Sequence, residues 1–430
     1  MKNKIAVLTQ HHDKRADINS LLISLGSTYE ITLFSDIKRE DEHFKTKTII
    51  NNKRSILDKL YLLLFMIFGN LPYSKNTYLI MEKVKLNRVQ GFKKIIRLIM
   101  LYIRVFTPNF ISSNFLAKKI SHINQNDLSE FKHIICISDI SDKFFASNAI
   151  KNHNSVFCYV YSWDHPCKCD FLPSKNIKYF VWNESVKSDL ISLQGVSEEN
   201  IYKVGSTQLC NLKKYVDSSA DNTNSYDFDY IYFTCSVGEA VLALSEIELL
   251  MLLSNKLLKY NKNAKLVIRI YPFVENLDIY NNLRKQDNVI IDDDYIVNNY
   301  DEYTNANDRY NKVKSSLAVM HLGTTLGLEA TYLNTPVIFI TLKNYQGLDA
   351  NTQQIIEKLE LFTNQYQLVQ YMESQSENVI FNYNDIDSVF KKIYNKELDN
   401  SYNASISELT VLKDTNTIAS NIIKALSSYD

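Results

Sequence analysis

His321-Leu-Gly-Thr-Thr-Leu-Gly-Leu-Glu-Ala-Thr-Tyr-Leu-Asn-Thr-Pro-Val337 reads as the end of a strand, a glycine turn, the start and buried face of a helix, and the entry to another strand. The apolar run Ser316 to Met320 gives way at Gly323, and Thr324 or Thr325 is placed to cap a helix that carries Glu329. An exposed helix start offers N–H groups to an anion, and Glu329 lies one turn further in, within reach of a sugar or ribose hydroxyl. That is a nucleotide-sugar pocket in outline. The competing account is an ordinary capped helix of an α/β protein, with Gly323 and Gly327 serving the turn and close helix–sheet packing.

Glycine usage favours the first account. The chain has nine glycines in 430 residues, and Gly205, Gly238, Gly323 and Gly327 all stand where an apolar run becomes polar or helical. A sequence this poor in glycine keeps it where the backbone needs positive φ or where a ligand comes close.

Outward from this stretch, strand-like runs recur at Ile5–Leu8, Ile31–Phe34, His133–Ser138, Ser155–Tyr161, Tyr179–Trp182 and Ile201–Val204, with helical or polar intervals between them. The alternation predicts a parallel sheet flanked by helices. Residues 211–228 turn polar, rich in Asp, Ser and Asn, and read as an interdomain linker. A second series follows, with strands at Asp229–Cys235, Lys265–Ile270, Val289–Asp292, Leu317–His321 and Pro336–Thr341 and a long helix at Glu239–Lys259. The expected division is an N-terminal domain over 1–210, the linker 211–228, a C-terminal domain over 229–404 and a terminal helix over 405–430. In doubly wound folds ligands bind at the carboxyl ends of the strands, so the residues just after these runs carry the functional expectations.

At this length and 45% hydrophobic content the chain can bury two cores. Its longest apolar run, Tyr61 to Phe68, is far short of the roughly 20 residues a membrane span needs. Met1 to Thr9 enter a strand pattern without a signal-peptide core, which predicts a cytoplasmic protein. Cys136, Cys158 and Cys235 lie in apolar runs and suit reduced, buried thiols. His165, Cys167 and Cys169 cluster, but without the second ligand pair of a zinc site, so no metal is expected. The zero net charge is uneven: residues 1–130 hold 21 Lys+Arg against 11 Asp+Glu, the remainder 27 against 37. Within the basic part, Ile56 to Phe68 and Ile95 to Phe115 combine apolar residues with Lys93, Lys94, Arg97, Arg104, Lys118 and Lys119 nearby or interspersed. Such helices suit an anionic membrane surface, or else pack into a core with a solvated basic face. No nucleic-acid motif accompanies the charge, so nucleic acid is not an expected partner.

Three further segments fall at strand ends: Tyr161-Ser-Trp-Asp-His-Pro166, Val181-Trp-Asn-Glu-Ser185 and Lys203-Val-Gly-Ser-Thr-Gln208. Together with Arg269-Ile-Tyr-Pro272 and the opening stretch, they resemble bacterial glycosyltransferases of the GT-B fold that build surface polysaccharides. The resemblance covers residues 155–345. It implies an α/β protein of two Rossmann-like, doubly wound domains facing a central cleft, with acceptor recognition on the N-terminal side. In this resemblance Glu329 binds donor hydroxyls, the N–H groups of Gly323, Thr324 and Thr325 hold phosphate, and Ser236, Val237, Gly238 and Glu239 form the loop facing it. The family's Arg-x-His-Pro histidine is Tyr271 here, so no imidazole role carries over. Arg269 keeps a fork of donors suited to a diphosphate or carboxylate, or to a structural ion pair.

Transfer to an acceptor hydroxyl needs a group to take its proton. Asp164 and His165 are the leading pair, with Pro166 favouring extended backbone at His165; the alternative is that Asp164 caps a turn while Trp163 is core. His11, His12 and Asp13, after the first strand, are a second set. Asn183 and Glu184 fit the start of the following helix. The expectation is therefore a metal-independent, cytoplasmic glycosyltransferase, peripheral at the inner-membrane face. It moves a sugar from a UDP-, GDP- or CMP-linked donor to a glycan or glycolipid acceptor of lipopolysaccharide or capsule. The same architecture also serves nucleotide-sugar epimerases and polyol-phosphate transferases, and a non-catalytic nucleotide-binding scaffold stays open.

Overall fold

The computed structural model describes residues 2–9, 16–35, 42–48, 56–68, 86, 91–106, 128–137, 155–163, 177–218, 225–236, 240–271, 276–293, 306–344, 348–354, 378–398 and 410–429. The chain divides into two compact units, Met1–Cys210 with Val411–Asp430, and Asn211–Thr410. The strands are β1 (Lys4–Leu8), β2 (Glu30–Ser35), β3 (Lys45–Thr48), β4 (His133–Ile137), β5 (Val156–Tyr159), β6 (Lys178–Val181) and β7 (Ile201–Lys203) in the first unit. In the second they are β8 (Tyr230–Thr234), β9 (Lys265–Arg269), β10 (Val289–Asp292), β11 (Ala318–His321), β12 (Val337–Asn344) and β13 (Val379–Asn382). The helices used below are α1 (Ala16–Gly26), α2 (Ile56–Phe68), α3 (Phe92–Phe106), α4 (Glu184–Gln194), α5 (Cys210–Asp217), α6 (Ala240–Tyr260), α7 (Ala306–Lys314), α8 (Thr325–Tyr332), α9 (Asp385–Asn395) and α10 (Thr415–Ser427).

The first sheet runs β3-β2-β1-β4-β5-β6-β7 and the second β10-β9-β8-β11-β12-β13, with every described pairing parallel. Both orders reverse direction beside their first strand, the doubly wound pattern. Strands buried on both faces read as continuous apolar runs, and β4, β5 and β8 are buried at every position. Two strands have no counterpart in the sequence reading. β3 is Lys-Thr-Lys-Thr, an edge strand held by Lys45 to Glu30 and Lys47 to Glu130, so it needs no apolar run. β13 is a four-residue strand at the opposite edge of the second sheet.

The first unit's core gathers Ile5, Val7, Ile135, Phe157 and Phe180 from the sheet with Leu21, Leu22 and Leu25 of α1. Ile18, Leu21, Leu22 and Leu25 recur at helical spacing and are buried, which turns one stripe of α1 inward. That core is completed by α10, whose Ile418, Ala419, Ile422 and Leu426 join the same cluster. Lys413 and Asn421 both donate to the carbonyl of Val204, and Ser24 donates to Asn416. Gly205 makes this docking feasible: its φ is +118°, and an added Cβ would lie 2.9 Å from the Lys413 side chain and 3.1 Å from that of Ile418. The chain's end therefore returns to the first unit. The stretch read as the start of a linker, Asn211 to Asp217, is helical in α5, and Tyr215 there donates to Asn311 and packs against Tyr310. Cys136, Cys158 and Cys235 are free and buried, as is Cys210.

Candidate functional site

The reversal of strand order in the second unit lies between β8 and β11, and the site is built from the carboxyl ends of those strands and their neighbours. Register aligns Asp292 with Arg269, Arg269 with Thr234, and Thr234 with His321, a row that crosses four strands. In-register neighbours of a parallel sheet share a face, so this polar row is one continuous edge. Beyond it, the hydroxyls of Thr234 and Thr324 lie 2.6 Å apart, tying the end of β8 to the start of α8. Thr324 is the N-cap of α8: its Oγ1 accepts from the N–H of Gly327 at 3.0 Å.

His321 organises the turn between β11 and α8. Its ring is fully buried, and Nδ1 accepts from the N–H groups of Gly323 at 3.0 Å and Thr324 at 3.2 Å. Burial pushes its pKa down to about 3, so the imidazole is neutral, and with Nδ1 accepting, the ring proton belongs on Nε2. Nε2 is buried without a hydrogen-bond partner among the described residues. Phe339 meets the ring at 5.4 Å in an edge arrangement. Two glycines make the geometry feasible. Gly323 holds φ at +97°, and a Cβ on Gly327 would fall 2.3 Å from Nδ1. The packing role weighed for Gly327 is thus a specific one: it leaves room for an imidazole.

Two N–H groups of the expected phosphate cradle meet a side chain of the protein. The N–H groups of Gly323 and Thr324 are occupied by His321, because a strand-end imidazole reaches them within its own turn. Thr325, half-buried, opens α8 beside them. Glu329 is 3% exposed and pairs with Arg309 of α7 at 3.1 Å. Arg309 in turn donates to the Tyr310 hydroxyl at 3.1 Å. Glu329 lies one turn into α8, as its spacing predicts, on the side that meets α7.

Of the two readings of Arg269, the structure shows the ion pair, 3.2 Å from Asp292. Asp292 is also met by Lys312 of α7 at 2.9 Å and by the Tyr232 hydroxyl. Burial raises the Asp292 pKa, but Arg269 and Lys312 outweigh it, and the carboxyl is held below its ordinary range. Lys312 is shifted the other way: burial lowers it, and Asp292 and Asp308 more than offset that. Ser236 donates from its N–H at 2.7 Å and its hydroxyl at 3.1 Å to the fully buried Glu246 of α6. Tyr271 follows Arg269 and is half-buried.

Gly238 and Glu239 lie outside the described residues, as do His11, His12, Asp13, Asp164 and His165, and Cys167 and Cys169 of the candidate metal cluster. Among the described residues no group of three His, Cys, Asp or Glu side chains is placed to hold a metal ion. Asn183 caps α4, accepting from the Val186 N–H at 3.0 Å, while Glu184 pairs with Lys203 at 2.6 Å. Trp163 is buried, as its core reading requires.

Sequence reading missed His321, Thr234, Asp292 and Lys312 as members of the site. The signal available was a polar residue closing an apolar strand, which Thr234, Arg269, Asp292 and His321 all are.

The sequence matches no protein-family model and no curated protein. Solved structures do match. A Staphylococcus aureus MnaA–UDP co-structure superimposes with a TM-score of 0.52 at 12% identity, covering 100% of this chain and 97% of that one. A Listeria monocytogenes protein named as a UDP-N-acetylglucosamine 2-epimerase gives 0.50 at 12% identity, with the same coverage of 100% and 97%. The likeness runs the full length of both chains and shows the fold: α/β, two-domain and GT-B-like.

Proposed function

We propose that this chain is an enzyme acting on a nucleotide sugar, with the nucleotide held at the carboxyl edge of the second sheet between β8 and β11. The observation that carries this reading is the built edge itself: a preset helix N-terminus at the point where strand order reverses. There the N-terminus of α8 opens at Thr324 and Thr325, and the Thr324 hydroxyl meets that of Thr234 at the end of β8. Such a point is where doubly wound folds take ligands, and a helix N-terminus favours an anionic group. The neutral His321 fixes the turn, so little ordering remains to be done when a diphosphate arrives.

The reaction proposed first is sugar transfer to a hydroxyl of a surface glycan or glycolipid, on the motif resemblance of residues 155–345. Asp164 and His165, with His11 and Asp13 as the second set, are the proposed proton acceptors. Electrostatic stabilisation of the leaving nucleotide by α8 stands in for a metal. Epimerisation of the sugar on its nucleotide is the second reading, favoured by the full-length likeness to the Listeria protein named for that activity.

Two experiments test this. In thermal shift with UDP, GDP, CMP, CDP and their sugar conjugates, one nucleotide at about 100 times its Kd is expected to add about 2.7 kcal/mol, a rise of a few degrees in Tm. A flat response across the panel would sink the pocket. The stabilising nucleotide sugar is then incubated in D2O and followed by NMR. Deuterium entering the sugar ring without acceptor selects epimerisation, whereas an intact donor that is consumed only on adding acceptor selects transfer.

A further inference from the structure

The helices α2 and α3 of the first unit pack on each other, and together they carry an apolar face in the open. On α3, Phe92, Ile95, Ile99 and Phe106 fall at intervals of three, four and seven residues and form one stripe. Phe92 is 75% exposed, Ile99 55% and Phe106 78%. Leu101, on the opposite side of the helix, is the buried residue, so the stripe points away from the protein. On α2, Ile56 is 85% and Leu60 46% exposed. These side chains are not packed into a core.

Charge completes the pattern. α3 carries Lys93, Lys94, Arg97 and Arg104 and no Asp or Glu. Lys93, Lys94 and Arg97 are exposed. Isolated apolar side chains on a surface need no account, but a stripe several turns long with a band of like charge on the other side of the same helix does. At 15 residues and four cations α3 is too short and too charged to cross a bilayer, and among the described residues no helix qualifies as a span. It has instead the make-up of a helix that lies in the plane of a headgroup layer. A second copy is a poor occupant. It would bring more cations of the same sign and no acid on α3 to pair them, whereas an anionic headgroup layer supplies the counter-charge.

We infer that α2 and α3 form a docking surface for an anionic lipid bilayer, the α3 stripe entering the acyl boundary and Lys93, Lys94 and Arg97 meeting the headgroups. The inference stands apart from the nucleotide reading, since binding is measured without nucleotide.

The test is flotation of the full-length protein with vesicles of phosphatidylcholine alone, and with about one third phosphatidylglycerol. Binding is expected to the anionic vesicles, and to weaken as salt rises from about 0.1 M to about 1 M, which cuts the screening length from ~10 to ~3 Å. Each cation near the surface is worth about fivefold in affinity, so K93Q/K94Q/R97Q together should lose on the order of a hundredfold. F92S/I99S should abolish binding while leaving the circular dichroism spectrum and Tm unchanged, because both side chains are exposed. Equal binding to neutral vesicles, or none to anionic ones, overturns the inference. So does a concentration-dependent dimer that F92S/I99S dissolves, since that would make a second copy the occupant.

Discussion

The two units share a doubly wound parallel sheet yet finish their strands in opposite ways. In the first, β1, β4, β5 and β6 end on Leu8, Ile137, Tyr159 and Val181, all buried. In the second, the corresponding edge reads Asp292, Arg269, Thr234, His321. Their ion pairs differ as well. In the first unit Lys4 and Lys47 on Glu130 are half solvated, whereas in the second Asp292 with Arg269 and Lys312, and Glu329 with Arg309, are buried. Strand order is set by apolar burial and chain handedness, so it tolerates either edge. The chemistry resides in which residues close the strands, and there the second unit has placed fixed charges and dipoles.

The two units also keep a buried aspartate in different states. Asp292 stays ionised between two cations, while burial raises Asp189 on α4 to about 7. The contrast can be broken most forcefully at Asp292. Asp292→Ala leaves Arg269 and Lys312 buried against each other and is expected to cost about 3–5 kcal/mol in urea unfolding. Glu130→Ala, the exposed counterpart in the first unit, is expected to leave the midpoint unchanged. The pH dependence follows in sign. Because the folded Asp292 pKa is depressed, its contribution is present above the unfolded carboxylate value of about 4 and is lost as pH falls through the lower folded value. An Asp292→Ala protein as stable as the parent at pH 7 would remove the buried network from the account.

A smaller effect is expected at the imidazole turn. Gly327→Ala forces a Cβ onto the His321 ring and should cost about 1–3 kcal/mol. His321→Ala strands two N–H groups and should cost a similar amount, about 1–3 kcal/mol for each buried group left unpaired. If the two residues act as one unit, the double variant is destabilised by less than the sum, with a coupling of about 1 kcal/mol or more. Additive losses would show that Gly327 serves something other than His321.

A pH-dependent effect sharpens the first unit's side of the comparison. A carboxyl whose folded pKa is raised contributes stability below its unfolded value and loses it as pH rises through the folded one. Asp189→Asn is therefore expected to be close to neutral at pH 4 and more stable than the parent at pH 8. Equal stability of variant and parent at both values would mean that Asp189 ionises without penalty.

Much of this was legible before any tertiary contact. Apolar runs marked β1, β2, β4 to β12 and the long helix α6, because strands buried on both faces leave that signature. Thr324 was readable as a cap and Gly323 as a turn, since both roles are local. β3 was not readable, as an edge strand of alternating Lys and Thr is held by its backbone and by Glu30 and Glu130. Of the thirteen residues expected at the site, those after β1 and β5, with Gly238 and Glu239, fall outside the described structure. Within it, Thr324 keeps its expected capping role, while Glu329, Arg269 and the Gly323 and Thr324 N–H groups meet protein partners.

The sequence by itself determined the two parallel sheets, the position of the strand ends and the helix that starts at Thr324, because burial periodicity and capping act over a few residues. Only the tertiary structure decided what those ends touch. Lys312 reaches Asp292 and Arg309 reaches Glu329 from a helix whose position depends on the whole layer, and α10 returns to Val204 across 209 residues of chain. Partner choice of this kind is made when elements dock. A side chain's spacing tells which turn it stands on, and the packed neighbour decides whether it faces a ligand or the protein.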